Sequence, residues 1–158
     1  MKQSDFRAVA IVVLGLLALP GVGYAAGSSS NDQPAKQPDL YKQAKELIDD
    51  EEYAKAIPLL QKSIQQKGEY ADALNLLGYS NRKLGDMTKA MTYYTKALNK
   101  EPKHLGANEY MGELYLEMND LPKAEERLAV LKGACGDCDE YEDLEDQIKD
   151  YKQEHGLS

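Results

Sequence analysis

Cys135-Gly136-Asp137-Cys138 holds the only two cysteines among 158 residues and is the chain's sharpest chemical feature. Two thiols three positions apart can exchange electrons, bind zinc, carry haem or close a bridge, and each use has its own requirements. Haem attachment needs a histidine directly after the second cysteine, and Asp139 stands there. A zinc site needs two further ligands, and neither His104 nor His155 sits at a ligand spacing. A catalytic dithiol wants its first sulfur at a helix start in a strand–helix context, which lowers the thiol pKa. No strand pattern is found here. A structural disulfide in an oxidising compartment is the favoured use. Thiol–disulfide exchange in the periplasm, with the rest of the chain as a client-binding surface, stays open as the alternative.

The second chemical feature is acidic. Glu109, Glu113 and Glu117 lie four apart, so on a helix they share one face over ~12 Å. Like charges at that spacing cost ~0.2–0.5 kcal/mol each, and a basic ligand would offset the cost. The competing use is internal: Asp49, Lys83 and Glu117 are spaced by 34 and could form a ladder of ion pairs. There is no Gly-rich phosphate loop, no Ser/His/Asp set and no HExxH motif. The expectation is therefore no catalytic residue, no metal and no cofactor. A net charge of −8 argues against nucleic acid as a partner, because phosphates demand a basic footprint.

These residues must be positioned by the elements around them. Lys2 and Arg7, an apolar run over 8–19, Pro20 and then Gly23-Tyr24-Ala25 have the order of a secretory signal. A dozen apolar residues are too few to span a bilayer, which takes ~20. The expectation is a signal peptide over residues 1–25, cut after Ala25, with no stable membrane insertion afterwards. No cysteine follows the apolar run to carry a lipid. Together with the absence of an Asn-x-Ser/Thr acceptor, this points to a periplasmic or secreted protein. Residues 26–38, AGSSSNDQPAKQP, have too little apolar content to offset their ordering entropy and read as a flexible linker.

From residue 39 the apolar positions recur every three or four residues, and period-two alternation is missing. Helix patterns run over 39–50, 53–67, 70–83, 87–100, 104–118, 121–132 and 139–154. Gly68 and Gly85 stand just past helix ends, as left-handed caps do. Pro102 follows a helix end and Pro122 lies in a first turn, where proline is tolerated. Pro58 falls past the first turn of 53–67, so that helix is kinked there or starts later. Asp139 and Glu142 have the spacing of a capping box. Short connections make successive helices antiparallel.

The pairs repeat with a period of 34: Ala44, Gly78, Gly112; Ala56, Ala90, Ala124; Leu60, Tyr94, Leu128. Small residues at two fixed points let helices approach, and bulky ones elsewhere fill the gaps. No pair can bury its apolar face alone, so pairs stack.

The pattern resembles the tetratricopeptide-repeat family. The repeat over 71–104 carries Leu74, Leu77-Gly78, Gly85, Ala90, Tyr94, Ala97-Leu98 and Pro102 where the family's signature falls, with Asn81 in place of the usual tyrosine. The repeats over 37–70 and 105–138 keep fewer of these residues. The resemblance implies an all-α fold, an α-α superhelix of three helix pairs plus a capping helix over 139–154, together a domain over 39–154. It also implies a non-enzymatic protein–protein interaction scaffold or adaptor. The first helix of each pair would line a concave groove with Tyr41, Lys45, Ile48 and Asp49, then Asn75, Tyr79, Arg82 and Lys83, then Glu109, Glu113, Leu116 and Glu117. A protein or peptide would lie in it, a basic segment being the matching chemistry, or the chain's own tail in an oligomer. The Lys/Asn/Arg set by which family members clamp a C-terminal carboxylate is missing, since matching points hold Tyr41, Lys45 and Leu76. A Cys135–Cys138 bridge would pin the loop where the family's closing proline is absent.

Overall fold

The computed structural model describes residues 39–157, and among them there are seven helices and no strand. They are α1 Leu40–Asp49, α2 Tyr53–Lys67, α3 Ala71–Lys83, α4 Met87–Lys100, α5 Leu105–Glu117, α6 Leu121–Ala134 and α7 Asp139–Glu154. The expected signal peptide and linker lie outside the described residues. Pro58 is inside α2, which starts at Tyr53 and does not start later. Pro58 and Ala54 are both exposed, so water can satisfy the carbonyl that the proline leaves without a donor.

The helix ends repeat as faithfully as the core. After α1, α3 and α5 the chain turns through Glu51, Gly85 and Asn119, spaced by 34, at φ of 61°, 82° and 59°. Each turn is a Schellman motif: Glu52, Asp86 and Asp120 donate their N–H to the carbonyls of Leu47, Asn81 and Tyr115. Gly68 also has positive φ, but its ψ of 170° leads the chain outward instead of closing such a motif. Only glycine enters this left-handed region freely. Glu51→Gly is therefore expected to stabilise the domain by ~0.5–1 kcal/mol, seen as a rise of a few degrees in melting temperature. A drop would show that Glu51 does not occupy that turn in solution.

Asp39, Asp86 and Asp120 cap α1, α4 and α6 through their carboxylates, and His104 caps α5 by accepting the Ala107 N–H at Nδ1. The expected capping box at Asp139 does not form. Cys138 is the N-cap of α7 and makes no side-chain cap bond. Its carbonyl already accepts the N–H groups of Tyr141 and Glu142, so the helix begins one residue earlier than that box requires.

The helices of each pair pack tightly, and α1 touches α3, α3 touches α5, and α5 touches α7. The backbones of α2 and α4, and those of α4 and α6, do not approach each other as closely. The second helices are therefore splayed and the first helices crowded, which curves the stack and puts α1, α3, α5 and α7 on its inner side. The core is a chain of small clusters. Ala44, Ala56 and Leu60 lead to Ala90, Tyr94 and Leu114, and then to Ala124, Leu131, Leu144 and Ile148. A Cβ on Gly78 would overlap the Tyr94 ring, and one on Gly112 would overlap Leu144. This is the physical reason for small residues at those points.

Helix α7 is more than a lid. Its first residue, Asp139, stands 34 after Leu105 and 68 after Ala71, the starts of α5 and α3. It packs on both α5 and α6. By register and by contact it takes the place of the first helix of a fourth repeat.

Candidate partner-binding groove

Arg82, in the last turn of α3, organises the inner face. It donates through Nη1 to Glu117 Oε1 at 2.7 Å and through Nη2 to Glu113 Oε2. Gln147 of α7 donates to the other Glu113 oxygen. The Arg82 guanidinium carbon lies 5.7 Å from the Tyr79 ring centroid and 5.9 Å from that of Tyr110. Burial works against its charge, but Glu113, Tyr94 and Glu117 outweigh that and hold the guanidinium above its ordinary pKa.

Of the expected ladder a single rung is present, and Arg82 makes it in place of Lys83; among the described residues neither Asp49 nor Lys83 takes part in an ion pair. Lys83 is exposed, with Nζ 5.7 Å from the Tyr79 ring centroid, and Asp49 faces open space. A residue step on a helix rotates the side chain by about 100°, and of positions 82 and 83 only Arg82 pairs with α5.

The acidic stripe divides. Glu117 remains partly open, whereas Glu113 is buried between Arg82 and Gln147, and Glu109 is buried. Burial, then Glu113, Asp143 and Glu140, push the Glu109 carboxyl up to about 8, against the opposing charge of Arg82. Because its folded pKa is raised, stability falls as pH climbs from about 4.5, its ordinary value, to about 8. Glu109→Gln should thus add ~1–3 kcal/mol above pH 8 and nothing near pH 4.5. Urea melts at both pH values measure it, and an equal effect at the two would show that Glu109 is not held protonated.

Two hollows open on the inner side. The first, of about 380 Å³, is lined by Lys45, Ile48, Asp49, Glu51, Tyr53, Leu76, Tyr79 and Tyr110. Its rings form a row, with Tyr53 to Tyr79 at 5.9 Å and Tyr79 to Tyr110 at 4.7 Å between centroids. The second, of about 340 Å³, lies between α5 and α7 and is lined by Leu116, Glu117, Asn119, Gln147, Asp150, Tyr151, Glu154 and His155. Arg82 links them, touching the rings of one and Glu117 of the other.

Of the expected groove residues, Lys45, Ile48, Asp49, Tyr79, Leu116 and Glu117 line these hollows and Arg82 joins them. Tyr41 instead packs against Tyr70, 5.8 Å away, where burial lifts its phenol to about 12. Asn75 is buried, with Oδ1 lacking a partner. Tyr53, Tyr110 and the inner face of α7 were missed by sequence reasoning. The continuing 34-residue register at Asp139 is the signal that could have found the last of these.

Profiles for the tetratricopeptide repeat match residues 41–104 and 81–148. The chain belongs to the tetratricopeptide-repeat family. Among solved tetratricopeptide-repeat structures, the OM64 TPR domain of Arabidopsis has a TM-score of 0.64 at 13% identity, covering 71% of this chain and 93% of that one. The type III secretion chaperone SycD of Yersinia enterocolitica, in complex with a peptide of the translocator YopD, scores 0.62 at 17% identity, covering 73% and 88%. At such identities the likeness shows the fold alone. In sequence, the rhomboid protease GluP of Bacillus subtilis (strain 168) is 29% identical over 147 residues, 93% of this chain. The chain spans only 28% of that relative's length.

In this tetratricopeptide-repeat fold Cys135 is the C-cap of α6 and Cys138 the N-cap of α7, and their sulfurs lie at disulfide distance, 2.05 Å. The pair stands where the sixth helix meets the seventh. Among the described residues, no helix is long and apolar enough to cross a membrane.

Proposed function

We propose that this chain is a non-catalytic scaffold that holds a segment of a partner protein against the inner faces of α1, α3, α5 and α7. The observation that carries the reading is the row Tyr53, Tyr79, Tyr110, half-buried side chains around an open hollow on the inner face. Tyrosine offers a large amphipathic contact at low entropic cost, which is why it recurs in binding surfaces. SycD, of the same fold, is seen with a translocator peptide, and that supports a peptide as ligand. The setting we propose is the periplasm, on the signal-like pattern of residues 1–25 and on a bridge of the kind that persists in oxidising compartments. We read the bridge as a structural clip. Asp139, Glu140 and Glu142 crowd the first turn of α7, and their charges oppose the thiolate that exchange chemistry needs.

Crosslinking with the full chain in its own cell envelope, followed by mass spectrometry, tests this. The parent and Cys135→Ser/Cys138→Ser should capture the same protein, and Tyr53→Ala/Tyr79→Ala should not. Undiminished capture by the tyrosine variant sinks the groove reading, and loss in the cysteine variant alone would favour thiol exchange.

A further inference from the structure

The groove is chemically two-sided. Its first hollow is aromatic and carries Lys45 beside Asp49 and Glu51. The second has Leu116 and Tyr151 as its apolar surface and Glu117, Asp150 and Glu154 as its charges, with no lysine or arginine in the lining. Arg82, the cation next to it, is already engaged by Glu113 and Glu117. Asp150 and Glu154 take part in no ion pair among the described residues.

The placement of these acids is unfavourable for the fold. Glu117 is the last residue of α5 and Glu154 the last of α7. A helix C-terminus carries roughly half a negative charge and prefers lysine or arginine, by ~0.3–1 kcal/mol per residue. Two helix ends of like polarity and three carboxylates thus converge on one hollow, and of the three only Glu117 has an ion-pair partner among the described residues, Arg82. Helix α7 as a whole holds eight carboxylates and two lysines.

On the groove reading above, we propose that the partner segment is basic at one end and apolar or aromatic at the other: its apolar part in the Tyr53–Tyr79–Tyr110 hollow, its lysines or arginines between α5 and α7. Helix α7 is then a wall of the site and not only a cap. Neighbouring helix axes lie ~8–10 Å apart, so the hollows are separated by about two such steps. An extended chain rising ~3.3 Å per residue spans that with about six residues between its apolar anchor and its basic cluster.

Fluorescence anisotropy with the full, oxidised chain tests the assignment. The probes are labelled 16-residue peptides with a Leu-Tyr anchor and, six residues on, either Lys-Arg-Lys or Glu-Asp-Glu, each made in both block orders. One basic peptide should bind at least tenfold tighter than its acidic counterparts and should weaken as salt is raised from 50 to 300 mM, because exposed pairs are screened. Asp150→Lys/Glu154→Lys should lower its affinity at least tenfold while the melting temperature stays equal or rises, since the new charges suit the helix end. Equal binding of acidic and basic peptides, or full affinity in the charge-reversed variant, overturns the basic-partner inference. If that binding is still lost in Tyr53→Ala/Tyr79→Ala, the groove reading survives. No binding of any probe at 100 μM, or binding indifferent to both variants, overturns both.

Discussion

Arg82→Ala is expected to cost the domain ~3–5 kcal/mol, lowering its melting temperature by more than about 10 °C. Removing the guanidinium leaves Glu113 buried beside Glu109, with Gln147 as its remaining donor. It also strips the Tyr79 and Tyr110 rings of the cation that lies near both. Most of the cost is the stranded charge and not the lost attraction, because a buried pair roughly breaks even against apolar groups of the same volume. Arg82→Met/Glu113→Gln should therefore recover most of the loss, since glutamine can still accept from Gln147. A single mutant as stable as the parent, or a double mutant no better than the single, would remove Arg82 as the tie between the second and third repeats.

Gly78→Leu should cost about 3 kcal/mol or more, at the upper end of what overpacking does. The first atom of any side chain at Gly78 already overlaps the Tyr94 ring. That ring is fully buried, so it has no solvent space to retreat into. Gly133 is the control: it lies in α6, and a Cβ added there would meet nothing within 4 Å. Alanine at that position should stabilise by ~0.5–1 kcal/mol. Circular dichroism melts of the two variants should move in opposite directions. If Gly78→Leu melts with the parent, the contact between α3 and α4 is not the one described.

Much of the architecture is legible from local chemistry. Helix boundaries follow from apolar spacing and from turn residues, so α2, α4 and α7 occupy the ranges that the pattern predicts. Pairing follows from the 34-residue recurrence of small and bulky positions. The exceptions are also local. The cap at Asp139 and the left-handed turn at Gly68 each depend on which backbone groups are already bonded, and side-chain type does not report that.

The groove was less legible, for a different reason. Resemblance places Glu109, Glu113 and Glu117 on the inner helix, but three carboxylates on one helix face have no environment until a neighbouring helix arrives. Helix α7 buries the first two and Arg82 pairs with the last two, so a stripe of equal residues becomes one raised carboxyl, one buried ion pair and one open charge. Tyr53 and Tyr110 belong to different repeats and lie 57 positions apart, yet Tyr79 stands between them. The sequence by itself determined the helices, their repeat and the family, because these rest on contacts among neighbours in the chain. Which charges stay open, which rings meet and where α7 lies were decided only by the tertiary structure, because they depend on side chains meeting across helices and on the desolvation that follows.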